Sequence, residues 1–159
     1  MLRRKLVLGG ILALLATVGL VGLAGPAQAM SFSGHVYNAA SPRCLDSGIP
    51  TNAQLWKCST SIYQQWTFSQ EDGHIRGNSP PGCLDAGYGL NGSGAFLTTC
   101  SNSASQIWQH YGTGFGPVWA YTGRCLDADL NTINQQGTKV QVWNCSGGSN
   151  QQWQFEFTT

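Results

Sequence analysis

The sequence predicts an all-β fold in which three similar units close a barrel and cap it with hairpins. Three observations carry that expectation. A glutamine–tryptophan motif occurs three times, in "IYQQWTF" (62–68), "SQIWQH" (105–110) and "SNQQWQF" (149–155), and self-similarity of this kind marks a repeated structural unit. The six cysteines fall into three early-and-late pairs that follow the same repeat. The segments between them are short, rich in aromatic and β-branched residues and bounded by turn formers, which is strand chemistry. None carries a helical apolar stripe of useful length.

Taken in chain order, residues 1–29 stand apart from the fold. "MLRRK" supplies a positive start, "LVLGGILALLATVGLVGLAG" an apolar stretch and "AQA" (27–29) a small-residue cleavage pattern, together a secretory signal. An uncleaved membrane anchor competes with this reading, because the apolar stretch is nearly long enough to span a bilayer. The Ala-x-Ala ending and the interrupting glycines favour cleavage after Ala29. Residues 30–159 then form one secreted domain, large enough for a real core. Charged residues are 9% of the chain, against a usual ~25%. Once Arg3, Arg4 and Lys5 leave with the signal, five basic residues face seven acidic ones. Such a domain has no electrostatic reason to bind nucleic acid or an acidic membrane surface, and no membrane insertion is expected after cleavage. Its amides, hydroxyls and aromatics suit a neutral, hydroxyl-rich ligand.

The copies align over about 33–72, 73–114 and 115–159. "GHVYNAASPRCLDS" (34–47), "GHIRGNSPPGCLDA" (73–86) and "GPVWAYTGRCLDA" (116–128) open them. "QLWKC" (54–58), "FLTTC" (96–100) and "QVWNC" (141–145) follow, and Gln64-x-Trp66, Gln106-x-Trp108 and Gln151-x-Trp153 close them. The cysteine spacing grows from 14 to 17 to 20, so length changes are confined to one loop, where turn residues crowd. Pairing within each copy is the economical choice: Cys44–Cys58, Cys83–Cys100 and Cys125–Cys145. Disulfides suit a secreted chain; zinc binding is disfavoured because no Cys-x-x-Cys occurs, and no metal or cofactor is expected. Apolar residues align in threes, Val36/Ile75/Val118, Leu45/Leu84/Leu126, Leu55/Leu97/Val142 and Trp66/Trp108/Trp153. Four short strands per copy give about twelve, and no single copy could bury its apolar face alone.

"RCLD", "VQVWNC" and "NQQW" in threefold recurrence resemble the ricin-B-type lectins and the similar carbohydrate-binding modules of bacterial glycosidases. The likeness spans essentially all of 30–159. It implies a β-trefoil, three pseudo-equivalent four-stranded repeats, and it implies sugar binding, which composition alone would not have given.

Comparison among the copies separates scaffold from site. Trp66, Trp108 and Trp153 occur in every copy and read as core. Gln64, Gln106 and Gln151 also recur. On a continuous strand Gln151 and Trp153 would share a face, leaving open an internal hydrogen bond or a contact with ligand at the rim. Trp56 and Trp143 stand two residues before the late cysteine, where the middle copy has Thr98. A core position would not accept both, so these tryptophans are expected to face outward, where an indole stacks on the C–H-rich face of a pyranose for about 2 kcal/mol. Gln54 and Gln141 likewise give way to Phe96. In the resembling lectins the Asp after Cys-Leu, here Asp46, Asp85 or Asp127, accepts hydrogen bonds from adjacent sugar hydroxyls; closing a turn through its own backbone is the alternative. The third copy carries the whole contact pattern in Asp127, Gln141, Trp143, Asn150 and Gln151. The first has Asp46, Gln54, Trp56 and Gln64, but Tyr63 where Asn is expected. The middle copy, with Phe96, Thr98 and Ser105, is expected to bind weakly or not at all, with Tyr88 as a substitute platform.

Catalysis is not expected. A glycosidase needs two carboxyl groups roughly 5–10 Å apart, and the repeated Asp residues sit in separate copies. His35 and His74 occupy equivalent positions where the third copy has Pro117, a pattern of turn residues. A protein-binding trefoil such as a protease inhibitor is the alternative, through the 129–139 loop. The expected partner is a mono-, oligo- or polysaccharide. The resemblance admits a separately encoded glycoside hydrolase or toxin subunit, associated non-covalently because no cysteine is left for a tether. The reading predicts that Asp127→Ala weakens sugar binding without unfolding the protein.

Overall fold

The computed structural model describes residues 31–48 and 52–156; the expected signal segment, 1–29, lies outside them. Among the described residues the chain forms fifteen short strands and three 3-10 turns, and every strand pair is antiparallel. The excess over twelve has a topological cause. Three segments break where the chain changes partner. Ser31–Gly34 pairs with Trp66–Ser69, whereas Val36–Asn38 pairs with Gln152–Phe155. Ser93–Gly94 pairs with Thr138–Trp143 and Phe96–Thr98 with Pro81–Asp85. Gly116–Pro117 pairs with Gln152–Phe155 and Trp119–Ala120 with Trp108–Gln109.

The aligned apolar triplets meet in one core. Val36, Ile75, Val118, Leu45, Leu84, Leu126, Leu55 and Val142 are buried, and Leu97 packs against them partly exposed. Trp66, Trp108 and Trp153 are fully buried, and each donates its indole N–H to the carbonyl of its copy's Cys-Leu leucine: Leu45 (2.8 Å), Leu84 (2.8 Å) and Leu126 (2.9 Å). A buried indole thus fills volume and satisfies its one donor. Three backbone hydrogen bonds link the copies head to tail: Ala53 to Ala95 (2.7 Å), Ala95 to Val140 (3.0 Å) and Val140 back to Ala53 (3.0 Å). Phe68 and Phe155 stack at 5.0 Å, with His110 and Phe32 against them. These occupy the position two residues after each core tryptophan, plus one ring from the first strand. This is the β-trefoil that the resemblance implies.

All three expected disulfides are present, Cys44–Cys58, Cys83–Cys100 and Cys125–Cys145. Each closes the hairpin that carries a Cys-Leu-Asp. Cross-links over loops of this length restrain the unfolded chain by about 3 kcal/mol each. Cys83→Ala/Cys100→Ala is therefore expected to lower unfolding stability by about that amount in a urea titration under non-reducing conditions.

Two carboxylates are held in their charged form. The backbone N–H of His35 and then its ring hold the Glu156 carboxyl below its ordinary 4.5. Hydrogen bonding from Arg76 is the main cause lowering Asp72 from 3.8 to about 2. Depressed carboxyl pKa values stabilise the fold above the unfolded values, and that contribution is lost as pH falls through the folded ones. Stability is thus expected to drop from about pH 4.5 towards 2. The drop should be shallower in Asp72→Asn/Glu156→Gln, as read by melting temperature against pH.

Candidate carbohydrate sites

Each candidate site begins as a hairpin. In the first copy, Ser41–Asp46 pairs with Gln54–Lys57 in the register Cys44↔Trp56, Leu45↔Leu55, Asp46↔Gln54. The third copy repeats it with Cys125↔Trp143, Leu126↔Val142, Asp127↔Gln141, and the second with Cys83↔Thr98, Leu84↔Leu97, Asp85↔Phe96. Strand alternation sends the leucines inward and sets Asp, its cross-strand partner and the Trp position on the opposite face. The repeat "apolar-Trp-x-Cys" is therefore a device for placing an indole two residues along from a carboxylate.

Trp56 and Trp143 are 42% and 43% exposed, as expected of platforms. The carboxylates below them are nearly covered, Asp46 at 7% and Asp127 at 4%. They form the floors of open cavities of about 350 Å³ in the third copy and 450 Å³ in the first. The third is lined by Asp127, Gln141, Trp143, Asn150 and Gln151, together with Asp129, Leu130, Asn131 and Ser146. Asp46, Gln54, Trp56, Tyr63 and Gln64 line the first, with Ser59 and Ser61. Every sequence-predicted residue of each set is thus brought to one cavity. The serines and the 129–131 wall were missed. The serines follow the late cysteines outside the recurring motifs. The wall belongs to the long third loop, whose extra length was the available signal.

The glutamines do not share a strand face with the core tryptophans, contrary to expectation. Gln64, Gln106 and Gln151 each end a 3-10 turn, Ile62–Gln64, Ala104–Gln106 and Ser149–Gln151. The turn rotates the glutamine away from the following strand, beneath the Asp. Gln64 donates to Asp46 Oδ2 (3.0 Å) and the Lys57 carbonyl (3.0 Å), and accepts from Ser59 N–H (2.8 Å). Gln106 does the same with Asp85, Thr99 and Ser101, and Gln151 with Asp127, Asn144 and Ser146. Fully satisfied buried amides of this kind orient the carboxylate.

The third carboxylate is held differently from the other two. Asp46 and Asp85 accept the backbone N–H of Gly48 and Gly87 at 2.7 Å; those glycines have φ of +58° and +60°, a conformation other side chains rarely adopt. Asp129 stands there in the third copy, and its N–H goes instead to the Lys139 carbonyl. Asp127 Oδ1 accepts from Gln141 (3.0 Å), and its Oδ2 from Asn150 and Gln151 (2.8 Å each). A carboxylate offers about four lone-pair directions, so one remains for ligand at Asp127. The three buried amides add an expected stability cost to Asp127→Ala beside its expected loss of sugar binding, because truncation would strand their donors.

The platforms lean on neighbouring copies. A Cβ on Gly137 would lie 3.4 Å from Trp56, and one on Gly92 3.3 Å from Trp143. Gln136 accepts from Lys57 N–H, and Asn91 from Asn144 N–H, at 2.8 Å each. In the second copy a cavity of about 480 Å³ is lined by Asn52, Asp85, Gly87, Tyr88, Ser93, Gly94 and Phe96. Thr98 supplies no indole there, and Tyr88 is 95% exposed. Among the described residues no group of three His, Cys, Asp or Glu is placed to hold a metal ion.

No curated protein sequence matches the chain significantly. Solved structures do. The designed 3-fold symmetric protein ThreeFoil superposes with a TM-score of 0.68 at 23% identity, covering 78% of this chain and 97% of that one. The hemolytic lectin CEL-III gives 0.66 at 25% identity, covering 79% of this chain but only 30% of its own. The C-half of an earthworm R-type lectin, solved with GalNAc, gives 0.61 at 17%, covering 79% and 98%. The model of the ricin-type β-trefoil lectin domain matches residues 32–153, more than half of the sequence. With its trefoil and its paired Asp–Trp hairpins, this chain belongs to the ricin-type β-trefoil lectin domain family.

Proposed function

We propose that this protein is a secreted lectin that binds galactose- or pentose-type sugars without catalysing their cleavage. The sites are Asp127, Gln141, Trp143, Asn150 and Gln151 in the third copy and Asp46, Gln54, Trp56, Tyr63 and Gln64 in the first. One observation carries the reading: a half-exposed indole stands beside a fixed carboxylate over an open cavity, twice. The indole takes the apolar sugar face and the carboxylate takes hydroxyl donors. GalNAc in the earthworm lectin structure is consistent with that ligand class. Three disulfides support an extracellular setting. The second copy, with Thr98 and Phe96 in place of Trp and Gln, is the weakest binder.

Shallow single sites bind in the ~1 mM range, about 4 kcal/mol, and two on one rigid body gain avidity on polymeric glycans. The natural partner is therefore a polysaccharide or cell-surface glycan, with any glycoside hydrolase or toxin subunit associated non-covalently. Titration with galactose, xylose and arabinose is expected to quench tryptophan fluorescence. Trp56→Ala/Trp143→Ala should abolish the response while the melting temperature holds. Persistent quenching in that double variant would refute the sites. A protein with no sugar response that inhibits a protease through the 129–139 loop would refute the lectin reading.

A further inference from the structure

His35 and His74 take the same position in two copies, and each ring bonds one particular carbonyl; the His35 ring also bonds a carboxylate, whereas His74 Nδ1 has no hydrogen-bond partner among the described residues and only faces a carboxylate. His35 Nε2 donates to Ser59 O (2.7 Å), while Nδ1 lies 2.7 Å from Glu156 Oε2. His74 Nε2 donates to Ser101 O (2.9 Å), and its Nδ1 lies 3.4 Å from Asp72 Oδ2. Ser59 and Ser101 are the residues whose N–H groups donate to Gln64 and Gln106, and those glutamines hold Asp46 and Asp85. Ser59 itself lines the first cavity. Hydrogen bonds therefore link Glu156 to His35 and His35 to the Ser59 carbonyl on one side of the Ser59 Cα, and the Ser59 N–H to Gln64 and Gln64 to the first-copy carboxylate on the other.

The third copy replaces this device. It has Pro117 at the histidine position, and there Asn150 braces Asp127 directly (2.8 Å) and bonds the Ala128 carbonyl (3.1 Å). The two copies with a histidine have Tyr63 and Ser105 where Asn150 stands. The asparagine is thus present in the copy that lacks the histidine and absent from the two that have it.

We propose that His35 is the positioning residue of the first-copy sugar site, anchoring Ser59 by its carbonyl so that the Ser59 N–H holds Gln64 and Gln64 presents Asp46 to ligand. The inference rests on the lectin reading above. It also explains how the first copy keeps a usable carboxylate although Tyr63 cannot play the part of Asn150.

The test uses single-site proteins: Trp143→Ala leaves the first site and Trp56→Ala leaves the third. Adding His35→Ala is expected to weaken galactose or xylose binding at least ~5-fold in the first background and to leave it unchanged in the second. His35→Gln, whose amide can reach the Ser59 carbonyl, should restore most of the affinity. His74→Ala serves as the structural control, because it removes the matching carbonyl bond in the second copy and lines no part of the first cavity. It should lower the melting temperature without changing first-site affinity. Equal weakening by His74→Ala, or none by His35→Ala at full folding, would overturn the assignment. A sugar-independent readout separates this from failure of the lectin reading. The NMR side-chain amide signals of Gln64 should shift in His35→Ala while those of Gln151 stay, and unmoved Gln64 signals would overturn the proposal whether or not sugar binds.

Discussion

Asp127→Ala is expected to eliminate measurable sugar binding at the third-copy site and to destabilise the fold by about 2–4 kcal/mol. Both effects come from one group. Its carboxylate receives Gln141, Asn150 and Gln151 and has one lone-pair direction left over. Hydrogen bonds to a charged acceptor contribute about 1.5–3 kcal/mol each, and water entering the open cavity would recover part of the loss. Asp46→Ala and Asp85→Ala each release one side-chain amide and one backbone N–H, so both should cost less. Of these two, only Asp46→Ala should weaken sugar binding. Urea unfolding together with calorimetric titration of galactose checks the ordering. Equal stability losses at Asp127 and Asp85 would contradict it.

Trp153→Ala should have the largest effect on stability, about 3–5 kcal/mol, the usual cost of deleting a buried tryptophan. The void would open at the centre of the core, because Trp153 is fully buried. The Leu126 carbonyl would also lose its indole donor, and Leu126 immediately precedes Asp127. Loss of third-site affinity should therefore accompany the loss of stability. Trp143→Ala separates the two properties. Its ring is half-exposed, so removing it should weaken binding 10-fold or more, from about 2 kcal/mol of lost apolar contact, with little change in the unfolding midpoint.

The contrast between these tryptophans was legible before any coordinates. Three copies of one unit served as an internal comparison, so Trp66, Trp108 and Trp153 separated from Trp56 and Trp143, and pairing of the cysteines within copies was the economical choice, which the structure shows. The short 3-10 turns were not legible. A three-residue turn has no periodicity to detect, and without it Gln151 was assigned to the strand of Trp153. The depth of the carboxylates was equally hidden. Burial at Asp46 and Asp127 comes from amides far away in sequence, and no local pattern reports a contact of that range.

Gly137 against Trp56 and Gly92 against Trp143 mean that each platform, although its cavity is lined by one unit alone, is backed by a turn of another. A single excised unit would carry the right letters and still lack the wall its indole rests on. Transplanting a sugar site into another trefoil thus means moving two stretches of chain at once: the hairpin with the ring, and the preceding neighbour's turn that keeps the ring upright.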